Sequence, residues 1–359
     1  MFDFYMLNTN LKSIRYFSVY HKFIFIVPVI SILGLILIIL SLSNGAVPTS
    51  YFDSIKYLIG YFSDSSSADP IKGNVISNIR MPRILLSLLV GSALAVSGAS
   101  LQGVFKNPMA DPGIIGVSSG AAAGAVITIS LGIAGSSLLI LPVFSFFGGL
   151  IAALIVFLLS RTSTNSSGTS FILSGLAVSA FLNSIISLVL VSSKKFGELN
   201  AILNWLAGGF QDSRWEHVYI AAPIILLLLP FFFIFSNRIN ILSLSDDSAK
   251  TLGLNVELNR FIFLVLATLM TSISVAVCGI LAFIGIMIPH ITRLIVGPDN
   301  RLVIPISALI GAVFLLAGDL LARTIFLPNE IRLGIITSFI GAPYFIYLLI
   351  KQRNNFIER

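Results

Sequence analysis

Few places in this chain could do chemistry. Its three histidines, His21, His217 and His290, stand far apart, with no H-E-x-x-H and no Cys/His cluster, so the spacing of a zinc site is missing. No G-x-x-x-x-G-K-[ST] occurs, nor any Gly-Lys pair, which excludes nucleotide binding by the usual phosphate loop. The single cysteine, Cys278, rules out an internal disulfide and reads as a small core residue in an apolar setting. Asp319 is the one clearly ionisable side chain within an apolar span. A carboxylate near mid-membrane costs about 2.5–3.5 kcal/mol, and such acids often mark a transport path. Arg323 follows it by four residues, one helical turn, so an ion-paired structural role and a transport role both stand. A proton- or sodium-driven carrier would show more intramembrane acids or polar helix breaks. Energy for transport is therefore expected from another subunit.

The elements that must position these groups are membrane helices. Of 359 residues, 56% are apolar and 10% charged, against about 25% charged in an ordinary soluble domain. A hydrocarbon core about 30 Å thick needs about 20 apolar residues per helix. The runs here are continuous rather than alternating, which argues against a β-barrel. The fold class is an all-α polytopic membrane protein of about ten spans: 23–42, 84–104, 113–133, 137–160, 170–192, 216–236, 261–278, 280–296, 303–322 and 334–350. The first has Lys12, Arg15 and Lys22 before it, yet it is too long for a signal-peptide core and no A-x-A site follows, so it reads as an uncleaved helix. Residues 43–79, with a Ser/Asp-rich patch at 64–69, form the longest polar connection, and 194–214 and 237–260 are the other sizeable loops. No repeat of 20–50 residues is evident.

With an inside N-terminus, ten spans return the C-terminus inside. The inside segments then hold 13 Lys/Arg and the outside segments nine, which favours this orientation. The reading divides the chain into a cytoplasmic segment 1–22, a transmembrane domain 23–350 and a cytoplasmic tail 351–359. Basic residues at membrane edges account for the net charge of +7 without any nucleic acid.

The most telling stretch runs from Asn78 to Gly120, where Arg80-Met-Pro-Arg83 leads into an apolar span and an Asn-Pro/Asp-Pro turn into a glycine-rich one. Taken with later segments, it resembles the FecCD permeases. The matching pieces are R-x-P-R (Arg80–Arg83), S-G-x-x-x-Q (Ser97–Gln102), N-P-M-A-D-P-G-I-I-G (Asn107–Gly116) and W-L-A-G-G (Trp205–Gly209). L-S-D-D-S-A-K-T-L-G (Leu244–Gly253), G-I-L-A-F-I-G-I-M-I-P-H-I-T-R (Gly279–Arg293), A-G-D-L-L-A-R (Ala317–Arg323) and G-I-I-T-S-F-I-G-A-P-Y-F (Gly334–Phe345) follow in order. Each piece alone is weak; together, in order and in membrane context, they are specific.

The resemblance implies a type II ABC importer permease, similar to the vitamin B12 and haem importer permeases, in the bacterial cytoplasmic membrane. It implies ten helices per subunit and a dimer with a second permease, identical or sister. Two ATPase subunits would bind ATP on the cytoplasmic face, and an extracytoplasmic substrate-binding protein would dock outside. No catalytic residue, cofactor or metal site is expected in this chain, which is not read as an enzyme. The cargo implied is a bulky iron chelate, a ferric siderophore, with haem or cobalamin as alternatives. An ion-coupled secondary transporter and a structural scaffold are the readings from other classes.

Individual residues follow from the same resemblance. Arg80, Arg83 and Arg323 fall on the outer face, where the family's arginines meet acids on the binding protein; a guanidinium can grip a carboxylate bidentately. Snorkelling to headgroups is the other reading. Leu244–Gly253, within a coupling loop at about 238–260, would meet the ATPase. Asp246 and Asp247 suit a helix start, Ala249 allows close approach by a partner, and Gly253 suits a helix end. Asn107-Pro108 and Asp111-Pro112 read as a tight inner turn or an inner gate. Pro289 is expected to kink the eighth span, and His290 reads as packing rather than as a ligand. Gly116, Gly120 and Gly124 suit close helix contact within or between subunits. Two departures stand out: Arg332 replaces a helix-starting proline near the outer face, and Ser245 replaces a glycine in the coupling loop.

Overall fold

A computed structural model describes residues 2–45, 47, 49–52, 54–56, 70–113, 116–161, 168–193, 195–326 and 328–357. The patch at 64–69 with the neighbouring part of its connection, Ile114-Ile115 of the Asn107–Gly116 piece, and Lys194 and Arg359 of the charge count lie outside these.

The described residues form helices and no strand. They are α1 (Phe2–Ser43), α2 (Met81–Val104), α3 (Val117–Ser130), α4 (Ile140–Arg161), α5 (Gly168–Ser192), α6 (Phe196–Leu206), α7 (Trp215–Ile234), α8 (Ser236–Leu242), α9 (Asp246–Thr251), α10 (Val256–Cys278), α11 (Ile284–Val296), α12 (Asn300–Thr324) and α13 (Leu333–Ile357). A short helix Pro70–Asn74 and a π-helical stretch Val75–Arg80 run directly into α2. Eight helices are long and apolar enough to cross a membrane, and α3 and α11 are shorter apolar ones. Together these ten coincide with the ten spans expected. In a bilayer every backbone group must be satisfied within the segment, which is why unbroken apolar runs become helices.

Packing sorts them into an inner set and an outer set. α2, α10 and α12 are mostly buried, and α2 packs along α12 more than any other pair of helices meets. α1, α4, α5 and α13 instead expose rows of Ile, Leu and Phe, the surface expected toward lipid. Glycine sets the crossings. A Cβ on Gly91 would lie 2.2 Å from the carbonyl oxygen of Gly311, so α2 and α12 touch backbone to backbone. Gly120 likewise meets Gly148, and Gly124 meets the Phe144 backbone. The glycine row of α3 therefore packs within this chain, against α4.

Three local features differ from the sequence reading. The 194–214 connection contains α6, and 237–260 contains α8 ahead of the short helix expected at Asp246, which is α9. The eighth span is broken earlier than Pro289. Residues 279–283 are non-helical, with Gly279 at φ 72 and Phe283 at φ 69, and α11 then runs through Pro289. Its 13 residues span only about 20 Å at 1.5 Å per residue, so the segment before it supplies the rest of the depth. The replacement of proline by Arg332 leaves the start of α13 intact: helix begins at Leu333, and the Arg332 carbonyl accepts the Ile335 N–H at 3.0 Å.

Candidate functional site

The predicted site residues gather at the two ends of the bundle. At one end, Arg80, Arg83 and Arg323 are only 4%, 6% and 3% exposed, so none presents a free guanidinium to solvent. Arg83, in the first turn of α2, places Nε 2.8 and 2.9 Å from the two carboxylate oxygens of Asp319 on α12, and Nη1 2.9 Å from Glu330 Oε2. Arg323 is farther from Asp319, at 3.8 Å, and donates instead to the Ser41 hydroxyl and carbonyl and to the Asn44 carbonyl. Arg80 donates to the Leu42 and Val47 carbonyls and, at 3.1 Å, to Thr49 Oγ1. The intrahelical pair expected between Asp319 and Arg323 is thus secondary. The main partner comes from α2, 236 residues away in sequence. Chemically this end is a charged clamp that ties α2 and α12 to the chain leaving α1.

Arg332 lies at the same end. Its Nη1 is 3.1 Å from Gln211 Oε1 and 3.4 Å from Asp212 Oδ2, while Gln211 donates to the Ile331 carbonyl at 2.9 Å. Beneath it, the W-L-A-G-G segment is wedged against the helix break: Gly209 donates to the Cys278 carbonyl at 2.7 Å and Gly334 to the Gly208 carbonyl at 3.2 Å. A cleft of about 600 Å³ opens beside this wedge, lined by Leu206, Ala207, Ile280, Gly334, Phe339 and Pro343 among others.

The opposite end carries α9. Ser245 caps it by accepting the Ser248 N–H at 3.2 Å, a role the usual glycine cannot fill. The far end closes in a Schellman pattern, with Gly253 at φ 79 donating to Lys250 at 2.9 Å and Leu254 to Ala249 at 3.1 Å. Asp246 and Asp247 open the helix as expected, and their surroundings differ. Asp247 is exposed. Asp246 accepts Lys106 Nζ at 2.7 Å and Arg260 Nη1 and Nη2 at 3.0 and 2.7 Å. The hydrogen bonds from Lys106 and Arg260 hold its carboxyl below the usual range. Ala249 is buried against its own chain, whereas Leu244 and Leu252 on either side of the helix are 49% and 61% exposed.

The candidate gate residues follow from the α9 end of α2 into α11. Asn107 and Asp111 each close an Asx turn, accepting the Met109 and Gly113 N–H groups at 2.9 and 2.7 Å. The Asp111 carboxylate lies against Gly285 at the start of α11. Pro289 is buried one turn further on, and the His290 ring meets Tyr344 of α13 edge-on at 6.1 Å. Among the described residues no cluster of His, Cys, Asp or Glu is arranged to hold a metal ion.

Reasoning from sequence missed Lys106, Gln102, Arg260, Arg293 and Glu330. Gln102 Nε2 donates to the Gly285 carbonyl at 2.9 Å, and Arg293 donates to Gln102 Oε1 and, at 3.4 Å, to the Ala99 carbonyl. Gln102 and Arg293 stood inside quoted motifs, but their shared bond joins residues 191 apart. No local spacing reveals it.

Comparison with known proteins places the chain in a family. The sequence pattern of the FecCD transport family matches residues 32–351. The cobalamin import system permease protein BtuC of Halobacterium salinarum is 40% identical over 77% of this chain and 73% of its own. The Fe(3+) dicitrate transport system permease protein FecD of Escherichia coli is 39% identical over 78% of this chain and 86% of its own. A solved ABC transporter, described as of metal-chelate type and in an inward-facing conformation, superimposes with a TM-score of 0.79 at 33% identity, covering 90% of this chain and 97% of that one.

Proposed function

Because this chain belongs to the FecCD transport family, we propose that it is the permease subunit through which an ATP-driven importer passes a ferric chelate, a siderophore complex, into the cytoplasm. Cobalamin or haem is the alternative cargo, since a relative of equal identity is named for cobalamin. In this reading the α9 end faces the cytoplasm and the Arg83 end faces outward, in the bacterial inner membrane. A second permease subunit completes the pathway, and the cleft beside the wedge forms part of its wall.

The observation that carries the reading is α9. A six-residue helix, capped at both ends and held from behind by two cations, is flanked by the exposed side chains of Leu244 and Leu252, and in this reading it stands at the cytoplasmic edge of the bilayer. Apolar side chains at that level gain nothing from lipid and suit a groove on a partner ATPase. At the other end, the buried arginines support a docking surface from beneath. They fix the chain leaving α1 and the 328–332 segment, while Asp212, Arg332 and Glu330 reach its rim. The binding protein docks on that platform.

The test is ATP-dependent uptake in proteoliposomes with the cognate ATPase and binding protein, comparing labelled ferric siderophore, haem and cobalamin. Uptake of the ferric siderophore alone is expected. Uptake of haem or cobalamin instead replaces the cargo, and an ATPase that does not bind the permease removes the α9 assignment.

A further inference from the structure

The loop-side end of α2 is built in a way that its stability does not require. Its last turn closes as a Schellman pattern, with the Asn107 N–H on the Gln102 carbonyl at 3.1 Å. The residue that must be left-handed in that pattern is Lys106, at φ 53. Glycine would sit there without the Cβ clash, which costs about 1–2 kcal/mol. Strain kept at one position points to a task for its side chain. Lys106 Nζ is 2.7 Å from Asp246 of α9.

One turn back, Gln102 answers a second defect. Proline has no N–H, so Pro289 leaves the carbonyl four residues before it, on Gly285, without its helical donor. The Gln102 amide supplies that donor at 2.9 Å, and the same carboxamide accepts from Arg293. Gly98 brings the backbones close enough, since a Cβ there would fall 2.0 Å from the Gly285 oxygen. α9, the end of α2 and the proline-weakened start of α11 are thereby joined without a gap.

We propose that Lys106 and Gln102 are positioning residues that carry movement of α9 to α11, Lys106 as the strained lever on Asp246 and Gln102 as the strut under Gly285. This rests on the permease reading, in which α9 receives the motion of an ATPase.

Two measurements test it. In the reconstituted importer, Lys106→Gly lowers uptake per ATP hydrolysed by about 2–30-fold, while the melting temperature of the purified permease stays level or rises; Lys106→Arg restores the ratio. A wild-type ratio in Lys106→Gly, or a fall matched by lost thermal stability, overturns the lever. Separately, Gln102→Leu lowers the melting temperature, and adding Pro289→Ala, which returns an N–H to Gly285, recovers most of the loss. Additive losses overturn the strut. If the wild-type protein shows no ATP-driven uptake, the permease reading fails, and the melting experiment still decides the strut.

Discussion

The two ends of this bundle use charge in opposite ways. At the Arg83 end, three guanidiniums and the Asp319 carboxylate are sealed inside, each held by carbonyls, hydroxyls or an opposite charge. At the α9 end, Asp246, Lys106 and Arg260 form a pair network that water reaches, with Lys106 and Asp246 33% and 44% exposed. A buried ion pair is expensive to break because the partner left behind is a charge without water. An exposed network is cheap to break and easy to move. The first end is built to stay still; the second can move at little cost, as the proposed ATPase contact requires.

The largest effect should come from breaking the sealed end. Asp319→Ala removes both acceptors of the buried Arg83 Nε and the nearest carboxylate to Arg323 and is expected to cost about 3–5 kcal/mol, read as loss of folded protein and a lowered melting temperature in detergent. Arg83→Met together with Asp319→Leu should recover much of that, because neither variant leaves the other's charge stranded. If Asp319→Ala melts like wild type, the contrast between the ends is wrong. Next comes the frame that both ends share. Gly120→Ala drives a methyl group toward the Gly148 carbonyl, 2.3 Å from where its Cβ would be, and should cost about 1–3 kcal/mol without changing ATPase affinity per folded molecule. The α9 end should show the reverse. Leu244→Asp with Leu252→Asp leaves the stability within about 0.5 kcal/mol of wild type but weakens ATPase binding at least about tenfold, as measured by co-purification or titration.

The ten helices were legible because lipid enforces a simple rule: an apolar run of sufficient length must be helical. Motif order supplied the family. Glycine spacing in α3 announced a close contact, though not that α4 would receive it. The charges were harder to read. Arg80, Arg83 and Arg323 stand at helix ends, where a sequence suggests exposure, yet Asp319, Glu330 and the carbonyls of 41–47 fold over them. Apart from the looser Arg323–Asp319 pair, their partners lie between 31 and 282 residues away, beyond any local pattern. Ala249 misled for a related reason. A small residue on a short helix serves close approach on either face, and here the face is the chain's own. The helix break at 279–283 escaped notice because Pro289 is the louder signal, whereas Gly279 and a left-handed Phe283 make the turn.

The smallest effect should be a pH dependence confined to the exposed end. Hydrogen bonds from Lys106 and Arg260 hold the Asp246 carboxyl below its value in the unfolded chain, about 3.9. A carboxyl depressed by folding contributes stability that is fully present above its unfolded value and is lost as pH falls through its folded one. Stability and ATPase affinity should therefore be flat from neutral pH down to about 4 on account of this group, and weaken only below that. Asp246→Asn should remove this acid-side dependence while leaving the neutral-pH melting temperature nearly unchanged, since water screens the network. An equal acid-side loss in Asp246→Asn would move the titration elsewhere, and a large neutral-pH loss would make the α9 end as rigid as its opposite. Either result would remove the distinction between an end that holds and an end that is moved.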